Sequence, residues 1–213
     1  MGRRLVLVTT ITAVAWLAAI GGLGGEAFGQ PRSNVHTYRV PAAALRFGLP
    51  GTWRQIDSRT LLSDVRLAEL IRSNPSLSGV FAQLTQPNSP LKFFAFDPNI
   101  RNGFASNANV TFTRLPFAMS QTEFLRQSVA AFAGYDIRHE SFGTVKLPGG
   151  TAVQATYQFH LGTPSGKIWV SIRQYSFKRG LLNTVVTYTT LPAYEKSYRP
   201  TFLASAKSIR FTN

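Results

Sequence analysis

The chain has 213 residues, no cysteine and a formal net charge of +14 at pH 7. The missing cysteine excludes disulfides, thiolate metal sites and a lipid-modified N-terminal cysteine, so the folded part must be held by its core alone. The basic excess directs attention to acidic partners: anionic lipid head groups, acidic cell-wall polymers, acidic proteins or nucleic acid.

The first element is a targeting segment. MGRR is followed by the charge-free run Leu5–Leu23 and a small-residue exit, GGEAFGQ. This is the pattern of a secretory signal over residues 1–29, with Ala27 and Gly29 at the −3 and −1 positions and Gln30 as the new N-terminus. The alternative is an uncleaved anchor, because the run approaches the roughly 20 residues that span a bilayer. Either route delivers the remainder across a membrane, to the periplasm, the cell envelope or the outside, and an uncleaved segment would keep it in membrane contact. Export makes nucleic acid the less fitting partner. The basic residues are scattered, with no run longer than two, so a merely solvated surface accounts for them equally well.

Residues 30–38, QPRSNVHTY, lack periodicity and read as a linker; 39–213 read as one domain. Leu45, Phe47 and Leu49 alternate with Arg46 and Gly48, a strand with one buried face that Pro50-Gly51 stops. Trp53, just past that turn, is expected to fold back over the apolar end of the sheet. Leu61, Leu62, Val65, Leu67, Leu70 and Ile71 have helical spacing over 60–74, and Asn74-Pro75 opens a second short helix over about 75–84. LKFFAF (91–96) is a compact apolar strand, and DPNIRNGFASN reads as a loop. Val110, Phe112 and Arg114 alternate in another strand. Ser120 and Glu123 form a capping box that opens a helix over about 121–132, with Phe124, Leu125, Val129 and Phe132 on its inner stripe.

The last third is strand-rich. Ile137–Leu147 reads as a strand bent near Gly143. Turns follow at Pro148-Gly149-Gly150, Thr163-Pro164-Ser165-Gly166 and Lys178-Arg179-Gly180, and three adjacent strands joined by such short Gly turns make an antiparallel meander. Residues 193–208 read as a helix interrupted or restarted at Pro200, and Ile209–Phe211 as a closing strand. The whole is α+β, one antiparallel sheet with helices packed on it. Apolar bulk at both parities (Ile168 and Trp169, Val185 and Val186) places helices on both sheet faces.

Signatures of chemistry are scarce, and none calls for a cofactor. Asp136, His139 and Glu140 lie close in sequence, but one histidine at strand or loop spacing leaves ligand geometry undefined, and solvated polar groups explain them as well. His36 falls in the linker and His160 ends a strand. There is no GxSxG elbow, no HExxH and no carboxylate pair in a motif context. GTPSGKI (162–168) lacks the spacing, the Ser or Thr after Lys, and the strand-to-helix context of a phosphate loop. Asn109-Val110-Thr111 is a formal glycosylation acceptor. One constellation fits a partner-binding surface. Trp169, Ser171, Arg173 and Tyr175 share a strand face, and Lys178 and Arg179 follow at the turn. Aromatics with an arginine between them bind by stacking and charge-assisted hydrogen bonds. The competing reading is that a helix covers this face, with Trp169 and Tyr175 in the core and Arg173 reaching the rim.

Several stretches taken together resemble one family. LRFGLPGTWRQID is similar to the strand, Pro-Gly and Trp opening of the PsbP-like and Mog-like superfamily; NANVTFTRLP resembles its middle strand; VKLPGGTAVQATYQF resembles its hairpin and long strand; and LLNTVVTYTTLPAYEKSYRPTFLASAKSIRF resembles its last strand, closing helix and final strand. The likeness spans nearly all of 39–213. It implies an α/β/α sandwich with a central antiparallel sheet, in a superfamily that includes photosystem II extrinsic subunits, a Ran-binding protein and exported bacterial proteins of the LpqN and DcrB types. These share no catalytic motif, so the resemblance cannot select a function. This chain departs from the LpqN type in lacking a lipidation cysteine, and carries inserted helices between Trp53 and Leu91. Two readings follow. The first is an exported, non-enzymatic binding or accessory domain engaging a protein partner or an anionic envelope surface. The second is a small-ligand carrier or enzyme with a cavity between the sheet and helices 60–85.

Overall fold

The structure, a computed structural model, describes residues 34–56, 83–84, 86, 88–130, 136–163 and 166–212. The expected signal segment, and the helices expected over 60–74 and about 75–84 except for residues 83–84, lie outside the described residues.

Among the described residues ten strands form two sheets rather than one layer. β1 (Val35–Val40), β2 (Leu45–Pro50) and β10 (Arg210–Phe211) make a small sheet in the order β1-β2-β10. β3 (Arg54–Gln55), β4 (Leu91–Phe96), β5 (Asn107–Arg114), β6 (Ile137–Leu147), β7 (Gly150–Thr163), β8 (Gly166–Arg179) and β9 (Leu182–Thr190) make a large one, ordered β3-β4-β5-β9-β8-β7-β6. Every pairing in both sheets is antiparallel. β1 begins inside the stretch read as a linker, because Tyr38 and Val40 turn inward against β2 although their neighbours are polar. The turn at Pro50-Gly51 carries the chain from the small sheet to the edge of the large one, where Arg54 pairs with Phe96. Gly51 is required there: a Cβ would sit 2.8 Å from the carbonyl oxygen of Asn34.

Side-chain alternation divides the large sheet into two faces. One face shows Phe93, Ala95, Ala108, Val110, Ala152, Tyr175, Phe177, Val186 and Tyr188, which share a core with Phe47 and Leu49 of the small sheet. α2 (Glu195–Ser208) covers the same face with Tyr198, Phe202 and Ala206. The other face shows Phe94, Phe96, Ala155, Tyr157, Val170 and Ile172. α1 (Gln121–Ala130) packs there, with Phe124 beside Leu115 and Val153. Helices thus lie on both faces of an antiparallel sheet, as the α+β reading requires.

Local details follow the sequence with four exceptions. The Glu123 amide donates to Ser120 Oγ at 3.0 Å, the expected cap, but the Glu123 carboxylate turns to Arg126 and Gln127 instead of completing the box. The irregularity in β6 lies between Arg138 and Ser141, where His139 has a φ of 51°, and not at Gly143. β5 begins at Asn107 rather than Val110. Asparagine is depleted in strands, but here pairing on both sides by β4 and β9 overrides the local preference. α2 runs unbroken through Pro200 after a 3-10 turn at Pro192–Tyr194. Pro200 and Lys196 are both exposed, so water reaches the carbonyl that the proline leaves without a donor.

Trp53 is 4% exposed and meets Phe202 edge-on at 6.4 Å, so it is buried in the core that the sheet shares with the covering helix. The Tyr38 hydroxyl donates to its carbonyl at 3.1 Å. Truncating Phe202 empties the point where helix and both sheets meet. The expected cost of Phe202→Ala is about 3–5 kcal/mol in denaturant unfolding. Tyr198 donates to Asp97 Oδ2 at 2.6 Å from a buried position, and burial followed by that carboxylate pushes its phenol pKa up. Tyr198→Phe leaves a mostly buried carboxylate oxygen without its donor, and is expected to cost about 1.5–3 kcal/mol in the same measurement.

Candidate functional site

The end of the large sheet where β8 begins holds the densest arrangement of aromatic and charged side chains facing solvent. β7 and β8 form a hairpin whose register sets His160 opposite Trp169. The two rings lie 3.8 Å apart, centroid to centroid, tilted by 40°. β6 brings Arg138 to the same face, with its guanidinium carbon 4.0 Å from the Trp169 ring centroid. Asp136, just before β6, places Oδ2 3.3 Å from His160 Nδ1. Trp169 and His160 are half-buried and Arg138 is exposed, so the Trp–Arg stack forms part of the surface. A cation held over an indole face gains about 0.5–1 kcal/mol at such a site and keeps its remaining donors free.

β9 leaves the sheet beside this end, since its Thr190 pairs with Ser171. The chain then makes the 3-10 turn and starts α2. Arg173 Nη2 donates to Glu195 Oε1 at 3.2 Å, tying the first residue of α2 to β8. Arg101 lies over the Tyr194 ring at 5.2 Å. Arg101, Arg138, Lys167, Lys196 and Arg199 are all exposed, and among the described residues none of them has an ion pair. Of the acids nearby, Asp136 lies against His160, Glu195 against Arg173 and Asp97 against Tyr198, while Glu140 on β6 is exposed. Arg138 and Lys167, exposed and without an ion pair among the described residues, make the Trp169 end basic.

The structure separates the residues that the sequence grouped. Tyr175 is 1% exposed, packed edge-on against Tyr188, and burial raises its pKa. It is covered from α2's side and is not a surface residue. The Arg173 side chain is only 11% exposed and is held by Glu195. Arg179 lies ten residues along β8 from Trp169, roughly 30 Å away at about 3.3 Å per residue. Arg179 donates to the Ala43 carbonyl at 3.1 Å and covers the Phe211 ring at 3.9 Å, so it fastens the small sheet; partial burial lowers its pKa. Lys178, one position earlier, faces the opposite side of the sheet. Of the grouped residues only Trp169 and, beneath it, Arg173 belong to the basic end. Arg138 and His160 were missed as partners of Trp169. The register of the hairpin around Thr163–Gly166 was the signal that could have found His160.

The other candidates resolve as follows. His139 sits at the bulge of β6 while Asp136 turns to His160. Among the described residues no group of three or more His, Asp or Glu side chains is placed to hold a metal ion. His36 lies in β1, edge-on to Tyr38 at 4.6 Å. Asn109 is fully buried in a central strand, which closes it as a glycosylation acceptor in the folded chain. The cavity expected beside helices 60–85 falls largely outside the described residues.

No family model and no curated protein matches the sequence. Solved structures do match. The cyanobacterial PsbP (CyanoP) from Synechocystis sp. PCC 6803 aligns over 88% of this chain and 98% of its own, with 12% identity and a TM-score of 0.50. Mog1p, a Ran-binding protein of Saccharomyces cerevisiae, aligns over 84% of this chain and 96% of its own, with 9% identity and a TM-score of 0.48. LpqN, involved in cell envelope biogenesis of Mycobacterium tuberculosis, aligns over 79% of this chain and 83% of its own, with 10% identity and a TM-score of 0.46. Likeness at such identities is one of fold, and the chain has the PsbP-like and Mog-like fold.

Proposed function

We propose that the chain is an exported, non-enzymatic accessory domain that docks on an acidic partner surface through the basic end of its large sheet. The observation that carries this reading is the stack of Arg138 on Trp169, with Lys167 two residues before that indole on the same strand face, neither cation neutralised by a carboxylate among the described residues. Such a surface attracts anionic head groups, acidic polymers or acidic proteins over several ångströms, and the half-buried indole supplies the short-range contact. The net charge of +14 reinforces the attraction. The N-terminal pattern supports delivery to the envelope, where acidic surfaces are abundant.

Each Lys or Arg near an anionic membrane contributes about 1 kcal/mol. The paired substitution Arg138→Ser with Lys167→Ser is therefore expected to weaken binding to phosphatidylglycerol-containing vesicles about thirtyfold. Trp169→Ala should weaken it further without changing its salt dependence. Co-sedimentation measured from low to high salt reads both effects. A bound fraction that ignores salt, or that is as large on neutral vesicles, would remove the electrostatic basis of this function. Binding to an acidic polymer but not to vesicles would assign the partner to the wall or to a protein.

A further inference from the structure

The face of the large sheet that carries α1 is apolar around its border and polar at its centre. β5 contributes Asn107, Asn109 and Thr111 to that centre, β9 contributes Thr187 and Thr189, and β8 contributes Gln174. The register sets them side by side: Asn109 opposite Thr187, Thr187 opposite Gln174, and Asn107 opposite Thr189. Directly opposed side chains of this kind stand about 5 Å apart at Cβ. Phe94 and Phe96 border the group on β4, and Ile172 and Tyr157 on the far side; all four are buried.

Asn109 is 0% exposed, and Asn107, Thr111 and Thr189 are each 1% exposed. Few of their polar atoms are satisfied. Gln174 donates to Thr187 Oγ1 at 3.2 Å, and Asn107 Nδ2 donates to the Ala105 carbonyl at 3.1 Å. Among the described residues, both side-chain polar atoms of Asn109, Asn107 Oδ1, Thr111 Oγ1 and Thr189 Oγ1 have no partner. A folded protein leaves few such atoms, because each forfeits its hydration with nothing in return. Here five of them occupy neighbouring positions on two hydrogen-bonded strands. The opposite side of the same strands is filled by Ala108, Val110, Val186 and Tyr188, so the strands accept apolar residues readily. The polar choice on this side therefore needs its own cause.

We infer that this row is the floor of a binding site for a small uncharged ligand rich in hydroxyl groups, of the sugar or polyol class. The unpaired atoms supply one amide donor group, amide oxygens that accept, and hydroxyls that do either, which is the complement of a polyol. From Asn107 to Thr113, from Val170 to Ser176 and from Asn183 to Thr189, the residues on this face include no Lys, Arg, Asp or Glu, so an ionic ligand would find no counter-charge. Phe94, Phe96 and Tyr157 on the border are of the side-chain type that packs against the C–H faces of a sugar ring. The row lies on the face away from α2, and the basic end is not part of it, so the inference stands apart from the function proposed above.

The test uses the full chain with D-glucose and N-acetyl-D-glucosamine as probes, and citrate as the charged control, in calorimetric titration and thermal unfolding. Saturable binding of at least one sugar is expected, with a rise in Tm of about 3 °C or more near saturation and none with citrate. Thr189→Val, Thr111→Val and Asn109→Leu should each weaken that binding at least tenfold. The Tm of the sugar-free variants should hold or rise, since each removes a buried atom that has no partner. Arg138→Ser should bind sugar as the unaltered chain does. Absence of saturable binding up to about 20 mM of either sugar overturns the inference. So does binding that survives Thr189→Val and Asn109→Leu together, or a sugar-soaked crystal in which ordered waters alone satisfy the row.

Discussion

Phe202 is the point on which the architecture turns. Its ring stacks on Tyr188 of β9 at 5.1 Å and on Tyr198, one turn earlier in its own helix, at 5.6 Å, and it meets Trp53 edge-on at 6.4 Å. Those partners belong to the large sheet, to α2 and to the crossing between the sheets. Aromatic pairs at such separations add about 0.5–1.5 kcal/mol each beyond the area they bury. One side chain therefore joins three parts of the chain that are far apart in sequence. The helix end is fixed by a second device: Gly48 on β2 donates its amide to Ser208 Oγ at 2.6 Å, and a Cβ at Gly48 would lie 3.3 Å from that oxygen. With its middle wedged and its C-terminal end tied to the small sheet, α2 can cover only part of the large sheet. The Trp169 end of β8 is left open for that reason.

That geometry decides which arginines are available to a partner. Arg173 and Trp169 share a face of β8, four residues apart, yet α2 begins directly over the first and not over the second. Glu195 sits in the first turn of α2, where a negative charge is favoured by the unsatisfied amides, and it also accepts from Arg173. Arg173 is thereby committed to holding the helix. Arg138 stacks on an indole and has no ion pair among the described residues, and an indole attracts a guanidinium without cancelling its charge. The charge at this end comes from residues of β6 and of the β7–β8 hairpin, which no linear run of charge could have revealed.

The sequence was most legible where a turn fixes the register. Gly150 and Gly180 have φ values of 120° and 59°, conformations that glycine adopts freely, and the strands between them alternate cleanly, so the meander β7-β8-β9 could be drawn from the residues alone. The capping serine before α1 was legible for a similarly local reason. What could not be read depended on partners distant in sequence. Alternation shows that a strand has two faces but not which sheet it joins, so β2 was assigned to a single layer. Asn107 and Asn109 resemble loop residues until the strands on both sides are known. Pro200 stops a helix in isolation, but not where its ring faces water. The candidate site divided along the same line. Trp169 was visible as an aromatic on a strand face; the burial of Tyr175 and the engagement of Arg179 with Ala43 and Phe211 were decided by α2 and the small sheet.

The two faces of the sheet also explain why β5, β8 and β9 tolerate so many polar residues without losing register. A one-residue slip between β5 and β9 would exchange Val110 and Val186 for Asn109 and Thr187 against the core shared with α2. Asparagine and threonine placed there would be buried among Phe47, Tyr175 and Tyr188 with no donors or acceptors provided. The polar row thus penalises the wrong pairing whether or not a ligand is bound. A register role alone, however, would be met by polar atoms that pair with one another, as Gln174 does with Thr187 and Ser106 with Thr190 at 2.8 Å. Asn109 lies beside Thr187 in the sheet, and still its side-chain amide has no partner among the described residues. Register specificity accounts for polar residues on this face; it does not account for leaving them unpaired, and that remainder is what a ligand with its own donors and acceptors would satisfy.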